Sequence, residues 1–166
     1  MKTTTAVYAG SFDPPTNGHL WVIQEAVKLF GGVVVAVGIN PDKKSLFSLE
    51  DRKQMLKEMC AGYDNVTIDS FEGDYLINYT VRINATHILR GIRNESDYEY
   101  ERMMRHVNYD LNPDISTVFL MPPREMAELS SSLVKGLVGP NGWRDIVCQY
   151  VPVSVYKRFI ERFGKG

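Results

Sequence analysis

Four short segments of this 166-residue chain carry side chains suited to handling phosphate. The first is Gly10-Ser11-Phe12-Asp13-Pro14-Pro15-Thr16-Asn17-Gly18-His19. Gly10 lets the backbone come close to a ligand. Ser11 offers a hydroxyl and an N–H. The segment delivers His19 to a helix start, where free N–H groups and the helix dipole favour anions. A histidine there donates hydrogen bonds to phosphate oxygens and, if protonated, adds positive charge. The second segment, Asn40 to Arg52, carries the basic pair Lys43 and Lys44. In the third, Arg90 and Arg93 flank Gly91, three residues apart, and can converge on one anion through bidentate contacts. The fourth is Ser130-Ser131-Ser132, whose hydroxyls and free N–H groups would cradle phosphate at another helix start. Each segment also has a plainer reading. These are a tight turn with a cap, solvated lysines, ion pairs to Glu95, Asp97, Glu99 and Glu101, and a serine N-cap.

Regular elements must hold these segments in place. Ala6–Ala9 is a short apolar run that reads as a buried strand. Leu20, Ile23, Val27 and Phe30 recur at a helical period across Gly18–Phe30. The β-branched run Val33–Ile39 fits a strand buried on both faces. Ser48, with Asp51 three residues on, is an N-cap signal for a helix to about Cys60. Val66–Phe71, His87–Leu89 and Ile115–Met121 read as strands, and Asp74–Ile83 and Asp97–Leu111 as helices. Further helices are expected from Ser130 and near the C-terminus, opened by Pro152. Gly139–Gly142 reads as a loop. This alternation predicts a single α/β domain spanning 1–166. It would be Rossmann-like and doubly wound, with a mostly parallel five-stranded sheet and helices on both faces. Ligands of such sheets bind beyond the carboxyl ends of the strands, where every candidate segment lies.

The bulk properties exclude several classes. Lys plus Arg is 19 and Asp plus Glu is 20, a net charge of −1. There is no overall pull toward nucleic acid or an anionic membrane. No apolar run is long enough for a membrane span, and Met1–Thr5 lacks the apolar core of a signal peptide, so a cytoplasmic protein is expected. Cys60 and Cys148 read as buried free thiols. His87 and His106 have no cysteine or carboxylate cluster at ligand spacing, and no metal ligand is assigned. Trp21 and Trp143 read as packing anchors, Met55 and Met59 as core. Arg102 and Arg105 read as surface ion-pair formers with Glu99 and Glu101.

Gly10-Ser11-Phe12-Asp13-Pro14 followed by Thr16-Asn17-Gly18-His19 resembles the signature of the HxGH nucleotidyltransferases. Thr16 in place of the first histidine is similar to the bacterial phosphopantetheine adenylyltransferase branch. So is the stretch from Arg90 to the acidic, aromatic helix at Asp97–Glu101. Leu129-Ser130-Ser131-Ser132-Leu133-Val134-Lys135 resembles the superfamily's Ile-Ser-Ser-Thr/Ser-x-x-Arg motif, with Leu129 and Lys135 as substitutions. Met126-Ala127-Glu128 departs from the family, which has an aromatic, a serine and an aromatic there, beside the adenine site. The ordered set runs from Val7 to about Tyr156.

The resemblance implies transfer of the adenylyl group of ATP to 4′-phosphopantetheine, giving dephospho-coenzyme A and pyrophosphate. It implies His19, Ser11, Lys43 and Arg93 as catalytic residues. Ser11, Lys43, Leu76, Arg90 and Asn108 would bind the acceptor. Gly10, Ser11, Phe12, His19, Gly91, Arg93, Glu101, Leu129, Ser130, Ser131 and Ser132 would bind ATP. It further implies Mg2+ carried with the nucleotide, a homohexamer, and feedback binding of coenzyme A. The first loop is shared with cytidylyltransferases and nicotinate mononucleotide adenylyltransferases. Another acceptor, CTP, or an inactive nucleotide-binding regulator therefore stay open as alternatives.

Overall fold

Strands and helices alternate along the chain because β-branched runs alternate with segments of helical period. The computed structural model describes residues 4–164. The stretch 1–3, part of the segment weighed as a signal peptide, and residues 165–166 of the expected domain lie outside it. The elements are β1 (Thr5–Gly10), α1 (Asn17–Leu29), β2 (Gly32–Ile39), α2 (Leu49–Met59), β3 (Val66–Glu72), α3 (Leu76–Arg82), β4 (His87–Gly91), α4 (Glu95–Leu111) and β5 (Ser116–Leu120). A 3-10 turn (Arg124–Met126) precedes α5 (Ser131–Gly136), α6 (Trp143–Val147) and α7 (Val153–Phe163).

The five strands are all parallel, in the order β3-β2-β1-β4-β5. The chain starts in the middle of the sheet, winds outward through β2 and β3, then returns to β4 on the other side of β1. The winding direction therefore reverses between β1 and β4, and a crevice opens at their carboxyl ends. Gly10 closes β1 and Gly91 closes β4.

Alternate residues of each strand face opposite sides of the sheet. Ala6, Tyr8, Val33, Val35, Val37 and Leu89 pack against Val22, Ile23 and Ala26 of α1 and Leu56 of α2. Val7, Ala9 and Ala36 pack on the other face with Tyr79 of α3 and Ala85. Helices thus cover both faces. A third cluster gathers Phe47, Met55, Leu129, Val134, Trp143, Val147, Val151, Val155 and Phe159. It joins α2, α5, α6 and α7 and fixes where α5 begins relative to the sheet.

Local capping explains the helix starts. Ser48 Oγ accepts from Asp51 N–H (3.1 Å), as the sequence predicts. Asn94 caps α4 through Asp97 N–H, so this helix starts two residues before the predicted Asp97. α3 begins at Leu76 rather than Asp74, whose carboxylate instead takes Asn78 and Arg82. Pro152 occupies the N-cap of α7, one position before the helix. The five-residue α6 was not predicted. It follows Gly142, whose φ of 81° turns the chain back so that Trp143 enters the third cluster. Cys60 is buried, but Cys148 is exposed, because it lies at the end of α6 away from that cluster. Trp21 is half-buried and Trp143 buried; Met55 is fully buried and Met59 partly.

Candidate active site

The loop after β1 is set by its most hydrophobic member. Phe12 is fully buried and holds a left-handed backbone at φ 47°. Burial of the ring offsets a conformation that a bulky residue otherwise avoids. Its ring lies edge-on to Tyr8 (centroids 5.4 Å apart) and to His19 (5.0 Å). A Cβ added at Gly10 would meet that ring at 3.2 Å, so this position needs glycine for close approach. The Asp13–Pro14 peptide is cis.

His19 is the third residue of α1, and Thr16 is the N-cap. The Thr16 backbone N–H donates to His19 Nδ1 (2.9 Å) while Thr16 Oγ1 accepts from His19 N–H (3.4 Å). A nitrogen that accepts an N–H carries no proton of its own, so the imidazole proton sits on Nε2. Burial, and next the charge of Arg93, lower the His19 pKa from 6.5 to about 4. His19 is therefore a neutral donor, and the extra positive charge considered from the sequence is not supplied near pH 7. The backbone N–H at the N-cap position, Thr16, is what fixes this tautomer.

Arg90 and Arg93 both carry carboxylate partners. Arg90, at the end of β4, pairs with Glu101 on α4 through Nη2 and through Nε (2.8 Å) and donates from Nη1 to the Ala9 carbonyl (2.7 Å). Burial opposes its charge, but Glu101 outweighs burial and holds the guanidinium above its ordinary pKa. Arg93 meets Asp97 through Nε (2.8 Å) and Nη2 (3.0 Å), and reaches the Leu129 carbonyl at 3.2 Å. Burial pushes the Asp97 carboxyl up, yet the Arg93 hydrogen bonds leave it below the usual range. Neither Arg102 nor Arg105 forms an ion pair among the described residues; Arg105 lies over the Tyr109 ring at 5.7 Å.

Three cavities adjoin at this crevice, and Ser11 lines all of them. The first, about 370 Å³, is bordered by Gly10, His19, Arg90, Gly91, Arg93, Asp97, Glu101, Met126, Leu129 and Ser130 to Ser132. The second, about 250 Å³, is an apolar groove with Phe71, Tyr75, Leu76 and Met104, closed by Arg90, Glu101 and Asn108. The third, about 340 Å³, holds Lys43 and Arg52. The residues expected to bind nucleotide, Phe12 excepted, thus share the first cavity. Phe12 lies beneath it as packing for His19. Leu76, Arg90 and Asn108 share the second. Lys43 stands apart from Arg90, across Ser11, and its neighbour Lys44 is exposed.

Sequence reasoning treated Asp13 only as a letter of a motif. The structure shows it 5% exposed, with its carboxylate accepting Leu46 N–H (2.8 Å), Phe47 N–H (2.8 Å) and Lys135 Nζ (3.2 Å). Ser131 Oγ donates to the Pro14 carbonyl (2.7 Å). The first loop, the Lys43 segment and α5 are therefore tied to one another. Ser131, read from sequence as a phosphate contact, and Lys135, read as a substitution in the same motif, each have one bond in this brace. The signal that was available is Asp13 beside Phe12 and two prolines, a setting poor in donors where a buried carboxylate must find partners elsewhere.

Comparison with known proteins follows the same lines. The cytidylyltransferase-like family profile matches residues 7–137. A phosphopantetheine adenylyltransferase from Chromobacterium violaceum is 54% identical over 160 residues, covering 96% of this chain and 98% of the relative. One from Neisseria meningitidis serogroup B is 56% identical over 155 residues, covering 93% and 91%. One from Caldanaerobacter subterraneus subsp. tengcongensis is 42% identical over 161 residues, covering 97% and 98%. Among solved structures, the Plasmodium falciparum nicotinic acid mononucleotide adenylyltransferase complexed with NaAD aligns over 98% of this chain and 97% of that one. Its TM-score is 0.68 at 15% identity, a likeness of fold.

Proposed function

From its membership of the cytidylyltransferase-like family and, within it, of the phosphopantetheine adenylyltransferases, we propose that this chain joins the adenylyl group of ATP to 4′-phosphopantetheine. The products are dephospho-coenzyme A and pyrophosphate. The observation that carries this reading is the meeting of three cavities at Ser11, between an arginine-rich crevice and an apolar groove. The crevice suits a nucleotide triphosphate. The groove, closed by Asn108, suits a slender amide-bearing arm ending in a phosphate near Ser11.

An oxygen of the acceptor phosphate attacks the α-phosphorus of ATP. A new P–O bond forms as the bond to pyrophosphate breaks. The attacking oxygen is already anionic, so no protein base is required, and neutral His19 is unsuited to be a strong one. Its Nε2–H instead donates to an oxygen of the reacting phosphate as charge develops there. Arg93 and the Ser130–Ser132 segment orient the triphosphate; Ser11 and Lys43 face the acceptor phosphate. The carboxylates lining the first cavity, Asp97 and Glu101, are each held by an arginine. That donor set fits Mg2+ carried by the nucleotide's phosphates, where it would offset charge while keeping several waters.

Tyr100, Met103, Val107 and Leu111 are exposed along one side of α4, an apolar face that supports self-association; a homohexamer is the proposed state, to be checked by sedimentation. A cytoplasmic location is part of the proposal; no helix among the described residues is long and apolar enough to cross a membrane. Coenzyme A carries the same arm as the acceptor and would compete for the second cavity.

The direct test is pyrophosphate release, with ATP and CTP each offered against 4′-phosphopantetheine and other phosphomonoesters. Release confined to ATP and 4′-phosphopantetheine supports the assignment. Release with a different pair moves the chain to another acceptor or nucleotide. Binding of ATP with no release in any pairing makes it a regulator.

A further inference from the structure

The cations around the crevice differ in what neutralises them. His19 is uncharged. Arg90 is paired with Glu101, Arg93 with Asp97, and Lys135 with Asp13. Arg105, at the second cavity, is exposed and sits over Tyr109. The third cavity is unlike the other two. Its lining includes Lys43, Arg52, Ser11, Ser45 and Ser48, and no aspartate or glutamate.

Arg52 is 5% exposed. Its Nη1 donates to the Ser11 carbonyl (2.8 Å) and its Nε to the Ser48 carbonyl (3.4 Å). Those bonds satisfy two donors but supply no negative charge. Among the described residues no carboxylate lies within ion-pair distance of Arg52 or of Lys43. A buried guanidinium without a counter-ion is costly, and the cost is relieved when an anion arrives. Arg52 also lies one turn into α2, whose capped N-terminus faces the same cavity at Ser48 and Leu49.

We propose that Arg52, together with Lys43, binds the phosphate of the acceptor, making the third cavity the phosphomonoester site. This rests on the acceptor assignment above and adds a residue to it. The remaining guanidinium donors meet phosphate oxygens from the β2 side, while Ser11 holds the shared edge toward the reacting centre. Arg93, paired with Asp97 at the first cavity, is left to the triphosphate, and Arg90 stays at the edge of the groove for the acceptor's arm.

The experiment compares 4′-phosphopantetheine with pantetheine, which has the same arm and no phosphate. Binding of each is measured calorimetrically to the wild type, Arg52→Gln and Arg52→Lys. Wild type should prefer the phosphorylated ligand. Arg52→Gln should bind 4′-phosphopantetheine about tenfold to a hundredfold more weakly, the range for a lost charge-assisted hydrogen bond, and bind pantetheine unchanged. Arg52→Lys should recover part of the preference. If Arg52→Gln keeps the full preference, or weakens both ligands alike, Arg52 is a structural brace and the inference is wrong. The wild-type Arg52 Nε–H nuclear magnetic resonance signal gives a test that needs no variant to fold. It should move on titration with 4′-phosphopantetheine and stay fixed with pantetheine; a signal indifferent to both overturns the proposal. A wild type that does not distinguish the two ligands instead overturns the acceptor assignment on which it rests.

Discussion

Replacing His19 with alanine removes the donor proposed to meet the reacting phosphate while leaving the Thr16 cap oxygen in place. With the pKa lowered to about 4, roughly one imidazole in a thousand is protonated at pH 7. The side chain therefore acts through a neutral Nε2–H. Loss of a single preorganised donor costs about 10²–10³ in kcat, or about 3–4 kcal/mol of transition-state stabilisation. The same reasoning fixes the pH profile. The folded-state pKa lies below the unfolded value of 6.5, so the neutral form is fully present above pH 6.5. It is lost as pH falls toward 4. Activity should stay flat across pH 6.5–8 with no inflection from this group, and native stability should decline between pH 6.5 and 4 because the unfolded chain takes up the proton first. The assay is continuous pyrophosphate release at saturating substrates, with urea unfolding at matched pH. A wild-type kcat that rises as pH drops through 6.5 would show that the cationic imidazole is the active form. His19→Ala turning over within fivefold of wild type would remove the residue from the chemistry altogether.

Glu101→Gln leaves the Arg90 guanidinium without its carboxylate. Breaking a buried pair costs about 3–5 kcal/mol, and the partial exposure of Arg90 places this one near about 2–3. A urea-derived stability within 0.5 kcal/mol of wild type (a margin of about the size seen for ordinary surface changes) would show that the pair contributes little. Asp13→Asn keeps one acceptor and removes the charge that holds Lys135. Because Asp13 joins the Lys43 segment to α5, KM should rise for both substrates together, with a stability loss of about 1–3 kcal/mol. A change confined to one substrate would mean that the brace does not link the two sides.

The strands were legible as short apolar, β-branched runs such as Val33–Ile39, which suit a strand buried on both faces, and the parallel order follows from intervening helices. The helix starts at Ser48 and Ser130 were legible from their caps. What the sequence hid depends on contacts between distant segments. The α6 helix has five residues, too few for a period, and exists because Gly142 redirects the chain so that Trp143 is buried. Site membership was visible as a set of segments, yet the split between Lys43 and Arg90 was not, since only the sheet order tells which loop stands on which side of β1. Asp13 and Arg52 were hidden for a related reason. Their partners are 33 and 41 positions away, at the Leu46 N–H and the Ser11 carbonyl. The tautomer of His19 needed the Thr16 contact, although the capping pattern that creates it is local, and its neutrality needed the burial and the approach of Arg93 that only the fold supplies.

The carboxylates that hold Arg90 and Arg93 have a consequence for which solutes can enter. Each guanidinium already has an anion attached through the backbone, present at an effective concentration no dissolved monovalent ion reaches. Chloride at cellular levels has only one charge and no fixed geometry with which to displace Asp97 or Glu101. In the proposed complex a triphosphate, with several charges, would engage Arg93, the serines of α5 and His19 at once, all of which line the first cavity. On the proposed function the paired arginines would act as an entry threshold, favouring polyvalent ligands that grip the crevice at many points over background salt.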